Sequence, residues 1–70
     1  MIKVRFFGRF VDQYGDTLEV QGGRMTVGDL VSAMKIEGVY LVAVNGEMAT
    51  LDRSVKDGDE VAIMPKVGGG

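Results

Sequence analysis

The stretch TVGDLVSAM, residues 26–34, predicts the one well-formed helix of the chain and decides its fold class. Thr26 is a favourable N-cap residue, and Asp29 three positions later nearly completes a capping box. Apolar residues then recur at helical spacing, namely Val27, Leu30, Val31 and Met34. Because this spacing gives a single apolar stripe, we expect an amphipathic helix over about residues 26–36 that packs on a sheet.

Apolar alternation on both sides of this helix predicts strands. The expected strands are residues 2–7, 17–20, 40–44, 47–50 and 60–64. The run at 40–44 is almost continuously apolar, which predicts a strand covered on both faces. Asn45-Gly46 predicts a two-residue type I′ hairpin turn, because both positions of that turn need positive φ. Residues 9–14 are expected to form a single helical turn or an irregular loop.

The first and last strands have the cleanest alternation, so we expect them in the centre of the sheet. One main helix on one face of a mixed sheet of about five strands is an α+β roll of the β-grasp type. Residues 1–66 then form the domain, and residues 67–70 form a flexible glycine-rich tail. The expected core is Ile2, Val4, Phe6, Leu18, Val20, Val27, Leu30, Val31, Met34, Val42, Val44, Leu51, Val61 and Ile63.

The composition excludes most catalytic chemistry. The 70 residues contain no Cys and no His, so disulfides, thiolate nucleophiles, imidazole ligands and a Ser-His-Asp triad are excluded. Turn chemistry explains Asp57 and Asp59, and we expect no metal site. The formal net charge of −2 argues against nucleic-acid binding, and no apolar run is long enough to span a membrane. We expect a cytoplasmic binding or carrier module without a bound cofactor.

The last four residues, Val67-Gly68-Gly69-Gly70, are a candidate functional segment. Glycine has no Cβ, so Gly68 and Gly69 can thread a narrow channel, and no side chain crowds the Gly70 carboxylate. The alternative is a frayed terminus or a cloning scar. Taken alone, the tail favours that alternative, because short glycine runs at termini are common.

A functional tail requires a docking face on the domain, because ordering glycine residues costs conformational entropy that contacts must recover. Phe7 and Met64 are the candidates for this face, and Met48 and Ala62 join them. The apolar alternation points these side chains away from the helix. A methionine and an aromatic ring on an open sheet face form an adaptable apolar patch. Scattered surface hydrophobes are an equally supported alternative.

Several segments follow one another in a characteristic order. They are IKVRFFG at 2–8, TVGDL at 26–30, VAVNGE at 42–47, VKDGDEVAI at 55–63, then Pro65 and Gly69-Gly70. On these segments the chain resembles the sulfur-carrier branch of the ubiquitin-like superfamily. It is most similar to the small subunit of molybdopterin synthase, and next to the thiamine sulfur carrier. The paired aromatics and Pro65 favour the former, whereas the hairpin turn is more like the latter, and residues 35–39 are shorter than in many molybdopterin subunits.

The resemblance implies chemistry at the main-chain terminus. An adenylyltransferase similar to ubiquitin-activating enzyme would use ATP and Mg to adenylate Gly70, and a sulfur donor would displace AMP to leave a thiocarboxylate. The large subunit of molybdopterin synthase, or thiazole synthase, would receive the sulfur. Gly69 is then the slim penultimate residue, and Phe7 and Met64 match positions near the docking face of such carriers. A protein modifier joined through an isopeptide bond and an interaction module with an inert tail remain alternatives.

Overall fold

The computed structural model describes residues 1–66. The elements are β1 (Ile2–Phe6), α1 (Phe10–Tyr14), β2 (Thr17–Val20), β3 (Met25–Thr26), α2 (Val27–Met34), β4 (Val39–Val44), β5 (Glu47–Ala49), β6 (Ser54–Val55) and β7 (Glu60–Pro65). Five strands form one sheet in the order β2-β1-β7-β4-β5, and β3 pairs with β6 in a separate ribbon. The first and last strands are parallel neighbours inside the sheet, and the other pairs are antiparallel. The predicted α+β architecture is confirmed.

The N-terminus of α2 is held by the capping box that the sequence predicts. The Asp29 backbone N–H donates to Thr26 Oγ1, and the Thr26 N–H donates to Asp29 Oδ2, both at 3.1 Å. The helix ends at Met34 rather than near residue 36, because Lys35 adopts a left-handed conformation with φ of 55°. Its backbone N–H donates to the carbonyl of Ser32, which closes the last turn.

The core lies between α2 and one face of the sheet. Its buried members are Ile2, Val4, Phe6, Phe10, Val27, Leu30, Ile36, Val42, Val44, Val55, Val61 and Ile63. The prediction was wrong for Leu18 and Leu51, which are 42% and 62% exposed. Leu18 lies on β2, an edge strand, and Leu51 lies in the turn after β5. In their place the core takes Phe10 from α1, Ile36 from beyond α2, and Val55 from the small β3–β6 ribbon.

The short helix α1 explains why Phe10 is buried. It forms over the segment that predicts either a helical turn or a loop, and Phe10 is its one buried residue. The Tyr14 ring stacks on Phe6 with 5.0 Å between ring centroids and meets Phe10 edge-on at 6.0 Å. This aromatic group packs α1 against the end of β1. Such ring pairs add stability beyond that gained from the apolar area they bury.

Strand β4 is covered on one face only, which corrects the sequence prediction. Val42 and Val44 are buried, whereas Leu41 and Ala43 are half-buried and Tyr40 is 68% exposed. Among the described residues no layer lies over the face that carries Ala43. The apolar run therefore marks a strand with one core face and one apolar outer face.

Gly28, in the first turn of α2, makes a close backbone contact with the segment after β5. Its backbone N–H donates to the carbonyl of Leu51 at 2.8 Å. A Cβ on Gly28 would lie 3.2 Å from that carbonyl oxygen. Glycine therefore lets the segment after β5 approach the helix closely, and this approach offsets its poor helix propensity.

The hairpin turn and the turn before β7 are joined by a small polar network. Asn45 and Gly46 have φ of 52° and 86°, as the predicted type I′ turn requires. The Asn45 side chain donates to Asp59 Oδ1 at 3.1 Å and accepts the Glu60 backbone N–H at 2.9 Å. The Lys56 backbone N–H donates to Asp59 Oδ2 at 3.0 Å. The hydrogen bonds from Asn45 and then Lys56 hold the pKa of Asp59 below its usual value.

This network predicts a pH-dependent contribution to stability. Because the folded pKa of Asp59 is lowered, its carboxylate stabilises the fold above the unfolded pKa of about 3.9 and loses that effect as the pH falls through the folded value. Asp59→Asn should therefore lower the free energy of unfolding near neutral pH, and its deficit relative to wild type should shrink towards low pH. Urea unfolding across a pH series measures the deficit.

Asn45→Gly keeps the turn geometry but removes the side chain that most lowers this pKa. Its deficit should also shrink on acidification, down to the constant part that comes from the lost Glu60 bond. A deficit that stays constant with pH in both variants would contradict the assignment.

Candidate functional site

The sheet face opposite α2 is built by residues that share one register row. Met48 on β5 lies opposite Ala43 on β4, and Ala43 lies opposite Ala62 on β7. Ala62 in turn lies opposite Arg5 on β1. Because side chains alternate along each strand, these four residues point away from the buried row beside them. Met48 is 74% exposed at the edge of this row.

Phe7 and Met64 extend the same face at the C-terminal end of β7. Met64 lies opposite Leu41 on β4. Phe6 lies opposite Ile63, so Phe7 comes next to Met64 just beyond the end of β1. The Arg5 guanidinium carbon is 5.6 Å from the centroid of the Phe7 ring, which places the ring on the same side as Arg5. The structure therefore brings Phe7, Met64, Met48 and Ala62 onto one sheet face. Their role in docking stays a prediction.

Three residues beside the predicted ones are missing from the sequence prediction, namely Leu41, Ala43 and Arg5. Leu41 and Ala43 lie in the continuous apolar run of β4, where alternation cannot be recognised. Arg5 occupies a polar position of a half-exposed strand, for which alternation predicts no more than a solvated side chain. Strand pairing brings all three beside the predicted residues, and the pattern of a single strand does not contain that pairing.

The end of β7 is fixed against the end of β1. Gly8 has φ of 58°, and a Cβ there would lie 2.9 Å from Pro65 Cγ. Pro65 is buried, and its register partner on β4 is Val39. The close contact between Gly8 and Pro65 therefore fixes where β7 ends. The predicted tail residues, Gly68, Gly69 and Gly70, lie outside the described residues.

Within residues 1–66 no group of three or more Asp and Glu side chains is placed to hold a metal ion. An open groove of about 360 Å³ runs between α2 and β4–β5, and its described lining is apolar apart from Tyr40 and Thr50. In that range no helix is long and apolar enough to cross a membrane.

Comparison with known proteins identifies the family. Residues 4–70 match the ThiS family. The chain belongs to this family of sulfur carriers. It is 37% identical to the molybdopterin synthase sulfur carrier subunit of Escherichia coli (strain K12), and the alignment covers 100% of both chains. The resemblance drawn from the sequence is therefore confirmed at the level of the family.

Solved structures of relatives share the ubiquitin-like β-grasp fold. SAMP1, the small archaeal modifier protein 1 of Haloferax volcanii, matches with a TM-score of 0.69 and 28% identity over 99% of this chain and 98% of that one. A chain from the complex of subunits 1 and 2 of the Helicobacter pylori 26695 molybdopterin-converting factor gives 0.67 and 26% over 99% and 97%. The thiamine biosynthesis protein ThiS of Geobacter metallireducens gives 0.62 and 32% over 97% and 99%. These relatives carry three different roles on one fold.

The contact between Gly8 and Pro65 predicts the effect of a single added methyl group. Gly8→Ala should cost about 1–2 kcal/mol for the left-handed backbone, and more because the methyl group would collide with the Pro65 ring. Gly46→Ala is the matched control, since Gly46 also has positive φ in a tight turn but no atom within 4 Å of the added Cβ. Urea unfolding should show a larger loss for Gly8→Ala. Equal losses would contradict the packing of Gly8 on Pro65.

Proposed function

We propose that this chain carries sulfur for molybdopterin biosynthesis as a thiocarboxylate on Gly70. The supporting observation is the alignment with the Escherichia coli molybdopterin synthase sulfur carrier subunit, at 37% identity over the whole of both chains. In this proposal the chain is the small, sulfur-donating subunit of a synthase and is not an enzyme by itself. Its proposed location is the cytoplasm, as the sequence predicts.

The proposed chemistry takes place at the main-chain terminus. A carboxylate is a poor electrophile, so an adenylyltransferase of the ubiquitin-activating type joins Gly70 to AMP and releases pyrophosphate. A sulfur donor then displaces AMP, and the resulting thiocarboxylate sulfur acts as the nucleophile towards the acceptor. ATP and Mg belong to the activating partner, and this chain binds no cofactor. The scheme needs no Cys or His, and the chain has neither.

The sheet face defined above supports the proposal. A partner that orders the glycine-rich tail must also bind the domain, because contacts with the domain offset the entropy cost of ordering the tail. Phe7 and Met64 lie where β1 and β7 end, next to the contact between Gly8 and Pro65. A partner that docks on them therefore sits beside the start of the tail. The proposed partners are the adenylyltransferase and the large subunit of molybdopterin synthase, and the Helicobacter pylori relative comes from a complex of subunits 1 and 2.

Two alternatives have their own support among the relatives. Sulfur transfer to the thiamine thiazole is favoured by the ThiS structure at 32% identity. Modification of other proteins through Gly70 is favoured by the SAMP1 structure with its TM-score of 0.69. All three functions require activation of the same carboxylate. The two carriers then differ in the small molecule that accepts the sulfur, whereas a modifier joins its Gly70 carbonyl carbon to a lysine amine.

Genetic complementation and intact mass together test the proposed function. The chain should restore molybdopterin synthesis in cells that lack their own molybdopterin carrier, and it should not restore thiamine synthesis in cells that lack the thiamine carrier. After co-expression with an adenylyltransferase, its mass should increase by the difference between sulfur and oxygen. A variant without Gly69 and Gly70 should fail in both assays.

The opposite pattern of rescue would transfer the assignment to thiazole synthesis. Lysine adducts on other proteins that depend on Gly70 would transfer it to protein modification. Rescue by the truncated variant would contradict every version of carrier chemistry and favour an inert tail.

If the sheet face is the docking surface, substitutions on it should weaken binding of the adenylyltransferase without slowing its chemical step. Phe7→Ala and Met64→Ala should each raise the KM of the adenylyltransferase for the chain by about tenfold, because a buried anchor side chain at an interface typically contributes more than 1 kcal/mol. The kcat should stay near the wild-type value. Leu18→Ala is the control. Leu18 is exposed to a similar extent as Phe7, but its register partner is the buried Val4, so its side chain lies on the helix side of the sheet. Equal effects in all three variants would contradict the docking face.

A further inference from the structure

The hairpin turn between β4 and β5 carries a chemically reactive pair of residues. Asn45 is the only asparagine of the chain, and a glycine follows it. The amide nitrogen of Gly46 can attack the side-chain carbonyl carbon of Asn45, because glycine has no Cβ to hinder the approach. Both residues are exposed at the tip of the hairpin, so water reaches the atoms that would react.

The structure restrains the two reacting groups to different extents. Within residues 1–66 the Gly46 N–H donates to no other backbone group, so the attacking nitrogen is free. The Asn45 side chain is held at both ends, because Nδ2 donates to Asp59 Oδ1 at 3.1 Å and Oδ1 accepts the Glu60 N–H at 2.9 Å. Ring closure rotates this side chain and makes its carbonyl carbon tetrahedral, which breaks both bonds. The hydrogen bonds therefore oppose the reaction in the folded state.

An acid at position 45 does not fit the surroundings that hold the amide. Asp59 is only 9% exposed, and its carboxylate accepts from the Asn45 amide and the Lys56 N–H. A carboxylate in place of the amide faces Asp59 with a negative oxygen, and like charges in contact repel. Lys56 Nζ lies 3.7 Å from Asp59 Oδ1, but this ammonium is largely exposed and offsets only part of the repulsion.

We propose that Asn45 is a site of hydrolytic self-modification, that Asp59 and Glu60 protect it in the folded state, and that its product weakens the junction between the hairpin and β7. No partner takes part, so the proposal is independent of the proposed carrier function.

The reaction consumes one water and releases one ammonia. Hydroxide removes the Gly46 amide proton, and the nitrogen bonds to Asn45 Cγ. The Cγ–Nδ2 bond breaks, and ammonia leaves with a proton from water, so that a five-membered cyclic imide remains. Water then opens the imide at either carbonyl, which leaves aspartate or isoaspartate at position 45.

Intact mass of the full chain measures the reaction during incubation at mildly alkaline pH. Each event replaces an amide by an acid, and Asn45 is the only asparagine. Gln13 and Gln21 need a less favourable six-membered ring, and peptide mapping assigns the modified position. Asp57-Gly58 can form the same imide, but it loses and regains water, so its reaction leaves the mass unchanged.

The wild-type chain should react at least about tenfold more slowly in buffer than in urea, a difference of about 1.4 kcal/mol, because urea breaks the two protecting hydrogen bonds. Asp59→Ala removes the acceptor of the Asn45 amide and should speed the reaction in buffer by about fivefold. Gly8→Ala is the control, since it destabilises the opposite end of β7 and leaves the network intact. Its rate should stay within about twofold of wild type, because local opening and not global unfolding exposes the site.

Three results of this experiment would overturn the proposal. Equal rates in buffer and in urea would show that the network does not protect Asn45. Equal acceleration in Asp59→Ala and Gly8→Ala would attribute the reaction to general unfolding. Absence of the mass change in urea would remove Asn45 as the reactive site.

The effect of the product is tested with Asn45→Asp, which reproduces the aspartate form. It should unfold at a lower urea concentration than wild type, and added salt should reduce the difference, since salt screens the repulsion. Asn45→Asp combined with Asp59→Asn returns one amide and one carboxylate to the pair and should recover most of the loss. A single variant as stable as wild type, or a double variant no more stable than Asn45→Asp, would overturn the predicted weakening.

Discussion

The parallel pairing of β1 with β7 is the constraint on which the rest of the molecule depends. It joins the two ends of the domain, since β1 begins at Ile2 and β7 ends at Pro65. One face of the pair supplies Val4 and Ile63 to the core beneath α2. The register of the same pair places Phe7 beside Met64 on the outer face. A shift of one residue would reverse both faces, so burial of the core fixes the composition of the open face as well.

This arrangement separates stability from chemistry. The helix side of the sheet holds the buried apolar residues. At the N-terminal end of β7, the hydrogen bond between Asn45 and Asp59 joins the hairpin turn to the turn before β7. In the proposed function the reactive group is the main-chain carboxylate of Gly70 and not a side chain of the core. The open face then serves only for recognition by a partner, and catalysis is left to the partners.

The sequence predicts the elements of this fold well because their causes are local. The capping box at Thr26 and the positive φ of Asn45-Gly46 depend on neighbouring residues only, and both were confirmed. Long-range packing decided the errors. The burial of Phe10 depends on Phe6 and Tyr14 meeting in space, and the exposure of Leu18 depends on β2 lying at a sheet edge. The contact of the Gly28 N–H with the Leu51 carbonyl likewise joins segments that are distant in the sequence. The order of the sequence segments predicted the family. No single segment indicates which molecule accepts the sulfur.

Methyl NMR of the methionines tests the central claim, that the open sheet face is the one a partner grips. Met48 and Met64 lie on that face, whereas Met25 and Met34 pack against the core on the helix side. With methyl-labelled methionine and the unlabelled adenylyltransferase, the signals of Met48 and Met64 should shift or broaden on binding, and those of Met25 and Met34 should stay in place. Perturbation of Met25 and Met34 with unchanged Met48 and Met64 would contradict the account.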